Sequence, residues 1–150
     1  MEAAAAYLHF LSIMALTAML VTQLTLCSRD LQPPQVQTLA QIDIVYLFAA
    51  VLALATGLIR LFVAGKGASF YFMNPLFYIK IALFLAVGLI SVMPTLQFIR
   101  WNRALKAGEG RVLRDTDIRT VRRYIALELL LLAFIPLAAV LMARGIGLQH

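Results

Sequence analysis

The chain has 150 residues, of which 63% are apolar and 13% charged, against roughly 45–50% and about 25% in a soluble globular domain. A compact domain of this length has too little interior to hide so much apolar surface, which excludes the soluble and disordered classes and leaves a membrane protein. Thirteen Lys and Arg against seven Asp and Glu give a net charge of +6, and the single cysteine, Cys27, rules out an internal disulfide.

The sequence opens Met1-Glu2 with no basic leader. The apolar run that follows is too long for a signal peptide, so the first segment is expected to stay as an anchor. Apolar stretches at about 5–27, 39–63, 76–99 and 123–143 each reach the roughly 20 residues that a bilayer core requires. They are apolar on all sides rather than alternating, which points to helices and not to a β-barrel. The expected fold is all-α, an integral membrane four-helix bundle running up-down-up-down as one domain.

Turn chemistry marks the boundaries. Pro33-Pro34 breaks the chain between the first two spans, and Gly65 and Gly67 close the second. Asn74-Pro75 has the form of an N-cap followed by proline at the first helical position. Gly108 and Gly110 interrupt the basic loop at 100–122, beyond which Asp115, Thr116 and Asp117 can start a helix that runs straight into the fourth span.

Arg100, Arg103, Lys106, Arg111, Arg114, Arg119, Arg122 and Arg123 all fall between spans three and four. The positive-inside rule makes that loop cytosolic and both termini periplasmic, in a bacterial inner membrane. Phe70, Tyr71, Phe72, Phe77 and Tyr78 are expected to ring the outer interface, and Trp101 and Tyr124 the inner one. The basic loop suits anionic lipid headgroups, at about 1 kcal/mol per residue near the surface. It lacks the interleaved aromatics of a nucleic-acid site. Besides the lipid bilayer, a second copy or a membrane partner subunit is an open alternative as partner.

Five ionisable residues lie within the spans: His9, Asp43, Arg60, Lys80 and Glu128. Such groups are costly in a membrane and are functional candidates by default. Asp43 and Arg60 are seventeen residues apart on one helix, about 25 Å, and cannot pair. The charges therefore form two layers, a cationic one (His9, Arg60, Lys80) and an acidic one (Asp43, Glu128). Asp43, Tyr46, Ala50, Ala53, Gly57 and Arg60 make one stripe of span two, opposite Leu47, Phe48, Leu52, Leu54 and Leu58. Lys80 shares a face with Phe84, Val87, Ser91 and Thr95, and the two stripes are expected to meet in the interior. The acids are expected to draw on helix N-termini, and Arg119, Arg122 and Arg123 to neutralise Glu128.

Arg60 and Lys80 can snorkel to lipid phosphates or bind an anionic ligand, with His9 nearby as a metal ligand or proton carrier. A proton route through Asp43 and Glu128, as in a small proton-coupled transporter, and a non-enzymatic accessory subunit are the alternatives. Cys27 reads as a small apolar residue rather than a nucleophile.

His9, the run Thr56-Gly57 with Arg60-Leu61, and Lys80 resemble the four-helix HemJ-type protoporphyrinogen oxidases and the CopD-type membrane proteins. The whole pattern, including Gly67-Ala68-Ser69-Phe70-Tyr71, is similar to an uncharacterised bacterial family of inner-membrane proteins in that neighbourhood. The HemJ resemblance implies haem b as cofactor, His9 as axial ligand, and Arg60 and Lys80 facing tetrapyrrole carboxylates. Ser91-Val92-Met93 contains no histidine where the HemJ pattern has a second one, so bis-histidine ligation within the spans is not available. His150 is on the matching side of the membrane.

Overall fold

A computed structural model describes residues 2–62, 72–109 and 113–144. Four helices account for almost all of them: α1 (Glu2–Leu26), α2 (Pro33–Phe62), α3 (Pro75–Lys106) and α4 (Asp115–Ala143). Each is long and apolar enough to cross a membrane. Consecutive helices pack along one another, and α1 against α4 closes the ring. That leaves α1 diagonal to α3, and α2 diagonal to α4. Expectations about Gly65, Gly67, Phe70, Tyr71, Gly110, Arg111 and His150 lie outside the described residues.

The helices overrun the apolar segments at the basic end. α2 begins at Pro33, six residues before the apolar run, because prolines fit the first turn of a helix, where a backbone N–H has no partner. α3 continues through Arg100 and Arg103 to Lys106, so much of the expected basic loop is helix. It stops where Gly108 takes φ +77°. There the Gly108 N–H donates to the Leu105 carbonyl at 3.1 Å and the Glu109 N–H to the Ala104 carbonyl at 3.1 Å, the two bonds of a Schellman cap. At the other end of α3 the Asn74 side chain accepts from the Leu76 N–H at 2.9 Å, and Pro75 takes the first helical position.

The α2 stripe behaves as its spacing requires. Asp43, Tyr46 and Ala53 are buried, while Leu47, Phe48, Leu52, Leu54 and Leu58 are exposed to the surroundings. On α1, Thr17, Thr22 and Thr25 bond back to the carbonyls of Ile13, Ala18 and Val21, so their hydroxyls reach the surface with their donors satisfied.

Two aromatic expectations fail. Trp101 is 1% exposed and stacks beside Phe98 in the core, with ring centroids 6.0 Å apart, instead of marking an interface. Phe77 is buried against Leu61 and Met142, whereas Phe72 and Tyr78 are exposed as expected. In a helix apolar on every side, the packing partner and not the residue type selects the buried face.

Arg122 does not neutralise Glu128. Its guanidinium donates to the carbonyls of Leu24 at 2.8 Å and Cys27 at 2.6 Å, so that α4 caps the C-terminus of α1 with a charge suited to that end of the dipole. Arg119 bonds within its own helix to the Asp115 carbonyl, and Arg123 is exposed. Burial beneath Arg122 pushes the Cys27 thiol up to about 11, against the weaker opposing pull of that guanidinium.

Candidate functional site

The cationic layer assembles from three helices at the end of the bundle where α1 begins and α4 ends. α1 brings His9 onto α2, where its Nδ1 lies 3.0 Å from the Ala53 carbonyl and 3.1 Å from the Thr56 hydroxyl. A carbonyl oxygen can only accept, so Nδ1 carries the proton and Nε2 keeps its lone pair. Thr56 in turn donates to the Leu52 carbonyl at 2.6 Å, leaving its oxygen free to receive the imidazole N–H. Gly57 makes this approach possible, since a Cβ there would stand 3.3 Å from His9 Cε1.

One turn further along α2, Arg60 places its guanidinium over the Phe10 ring, 5.6 Å from the centroid. It lies in the last turn of α2, where the helix dipole favours a cation. Lys80 lies in the second turn of α3, near the opposite pole, and gains no such support. His9, Arg60 and Lys80 are close enough for their charges to act on one another. All three line one cavity of about 370 Å³, with Phe77, Pro136 and Met142 among its apolar walls. Among the described residues, neither Arg60 nor Lys80 has a carboxylate partner.

The acidic layer also comes together, and deeper than expected. Asp43 lies ten residues into α2 and Glu128 thirteen into α4, about 15 and 20 Å from the helix starts. Support from the dipole, which falls off within the first turn, does not reach them. Gln23 on α1 donates to Asp43 at 3.1 Å, and the Tyr46 hydroxyl donates across the bundle diagonal to Glu128 at 3.0 Å. The stripe of α3 meets that of α2 here through Ser91 beside Tyr46 and Thr95 beside Asp43.

Sequence reasoning missed Gln23, Phe10, the bond between Thr56 and His9, and the capping role of Arg122. Gln23 and Thr56 had a usable signal, since each is a polar residue at helical spacing from buried neighbours (Leu16 and Leu20 on α1, Ala53 on α2). Arg122 had none, because nothing local distinguishes it from the seven other basic residues around it.

The family described as "Predicted membrane protein (DUF2214)" matches residues 1–147. The chain belongs to that family. No curated protein and no solved structure matches it. Membership of DUF2214 agrees with the four spanning helices and carries no activity with it.

Proposed function

We propose that the cavity of His9, Arg60 and Lys80 binds an amphipathic anion, with haem b or a similar tetrapyrrole as the ligand that suits it. The observation that carries the reading is the convergence of three bases from three helices on one cavity, without an acidic partner among the described residues. Unpaired cations in a membrane are costly, and an anion that enters with an apolar body offsets that cost. The cavity volume of about 370 Å³ lies within the roughly 300–1,000 Å³ range of small-molecule sites.

The donor set suits a haem. An imidazole that ligates a metal usually donates its other ring N–H to a carbonyl or carboxylate, as His9 Nδ1 does to Ala53. His9 Nε2 would then hold the iron, and Arg60 and Lys80 would hold the propionate carboxylates. Bound there, haem supplies one-electron chemistry. The positive-inside rule sets this cavity on the periplasmic side of a bacterial inner membrane.

The test is the absorption spectrum of the detergent-purified protein titrated with haem. A shifted Soret band that His9→Ala abolishes supports the reading. Lys80→Ala should keep the band position while weakening binding by about 10- to 150-fold, the equivalent of one charge-assisted hydrogen bond. No band shift, or an unchanged one in His9→Ala, excludes haem. Competition by an anionic phospholipid without any band shift assigns the cavity to a lipid headgroup instead.

A further inference from the structure

The acidic cluster is separate from the cavity above. Ten residues of α2, about 15 Å, lie between Asp43 and the Ala53 carbonyl that holds His9. Glu128 is 1% exposed and Asp43 5%, and the charge of one acts on the other. Each helix contributes one or two polar groups to them: Gln23 from α1, Asp43 and Tyr46 from α2, Ser91 and Thr95 from α3, and Glu128 from α4. None of these is a base. Of the two basic residues that precede Glu128 most closely on α4, Arg122 is committed to the α1 carbonyls and Arg123 is exposed.

Hydrogen bonding within the cluster is incomplete. Tyr46 satisfies Oε2 of Glu128, but Oε1 is fully buried and has no partner among the described residues. A buried, unpartnered carboxyl oxygen beside a second carboxyl is an expensive arrangement, because desolvation and like-charge repulsion act together. It is relieved if a positive charge sits between the two. A groove of about 200 Å³ reaches Tyr46 and Ser91 through otherwise apolar walls that include the exposed Leu47, Val51 and Leu54, and neither carboxyl lines it, so the candidate site is the polar cluster itself. The side chains around it offer oxygen donors and neither thiolate nor imidazole, which disfavours soft transition metals and suits a hard cation.

We propose that Asp43 and Glu128 together hold one small exchangeable cation, either a proton or a hard monovalent ion such as Na⁺, in the core of the bundle. Tyr46 and Gln23 are positioning residues that fix one oxygen of each carboxyl, with Glu128 Oε1 left to the cation.

Infrared difference spectroscopy on the full chain in lipid tests this with two arms. The first steps the pH in choline chloride; the second exchanges choline for Na⁺ at constant pH. A carboxylic C=O band at the high-frequency position of an apolar site, appearing in the first arm and lost in Glu128→Gln or Asp43→Asn, identifies a proton. A change in the carboxylate bands in the second arm, lost in the same variants, identifies the metal ion. If wild-type protein gives no such signal in either arm, or if Asp43→Asn/Glu128→Gln retains the whole signal, the proposal is overturned. The amide variants keep the shape and one hydrogen-bonding oxygen, and a wild-type blank decides against the proposal even if both fail to fold. The same substitutions should abolish any shift of thermal midpoint with Na⁺ that the wild-type protein shows at constant pH.

Discussion

His9 is held by backbone as much as by side chain, and Gly57 is the reason. With 3.3 Å between a Cβ at position 57 and His9 Cε1, alanine requires the ring to yield by a few tenths of an ångström. A branched side chain would expel it. Gly57→Ala should therefore fold and keep most ligand binding, whereas Gly57→Val should lose the His9-dependent Soret shift while the helix content by circular dichroism is preserved. Arg122→Ala removes a charged donor from two carbonyls at the end of α1. Unfolding in detergent should show a loss of about 1.5–3 kcal/mol, less whatever water recovers at this half-buried site. Arg122→Lys should restore only part of it, because one ammonium does not present the planar fork. Below Arg122, Cys27 is protonated at neutral pH. It should alkylate slowly in folded protein and rapidly after denaturation. The sign of its linkage is fixed by the raised folded value: the stabilisation is complete below about pH 9 and is lost as the pH rises towards about 11. Cys27→Ser should remove that alkaline loss.

Helix ends were legible because their signals are local. Asn74 with Pro75 carries its own stereochemistry, and the structure uses both as read, whereas Gly108, read as a break in the basic loop, ends α3. Asn74→Ala should cost roughly 0.5–2 kcal/mol, and Gly108→Ala about 1–2 kcal/mol for forcing a Cβ into the left-handed region, both measurable by denaturation in micelles. Helix lengths were less legible, because hydropathy stops where lipid stops and hydrogen bonding does not: α3 runs on to Lys106 with three basic residues beyond the apolar segment. Facing was legible on α2, where small and polar residues make a stripe against bulky ones. It was illegible on α1, which is apolar nearly all round, so the inward direction of His9 came only from its bond to Ala53. Trp101 shows the same difficulty on α3: an interfacial type by composition, it is set into the core by the neighbours that helix happens to meet.

At the scale of the whole bundle, association cannot rely on the hydrophobic effect, since lipid is as apolar as the helices. Packing and interhelical hydrogen bonds do the work instead. His9 to Ala53, Gln23 to Asp43, Tyr46 to Glu128 and Arg122 to Leu24 tie α1 to α2, α2 to α4 and α4 to α1. Each such bond is worth about 0.6–2 kcal/mol in a membrane protein, so Tyr46→Phe should lower stability by an amount in that range, with the acidic pair left less well ordered. Composition disclosed the four spans, and residue depth disclosed the two charge layers. How each layer closes depends on contacts between positions as far apart as 46 and 128, which no local pattern encodes.

The claim on which the functional reading rests is that Arg60 and Lys80 face one anion in one cavity. An equilibrium titration of the purified protein with haem, run beside haem dimethyl ester, addresses it directly, because the ester keeps the ring and loses both carboxylates. Haem should bind at least about 10-fold more tightly than the ester, the equivalent of one charge-assisted bond, and Arg60→Ala/Lys80→Ala should erase the difference. Equal affinity for the acid and the ester, or a difference that survives in the double variant, would contradict the account.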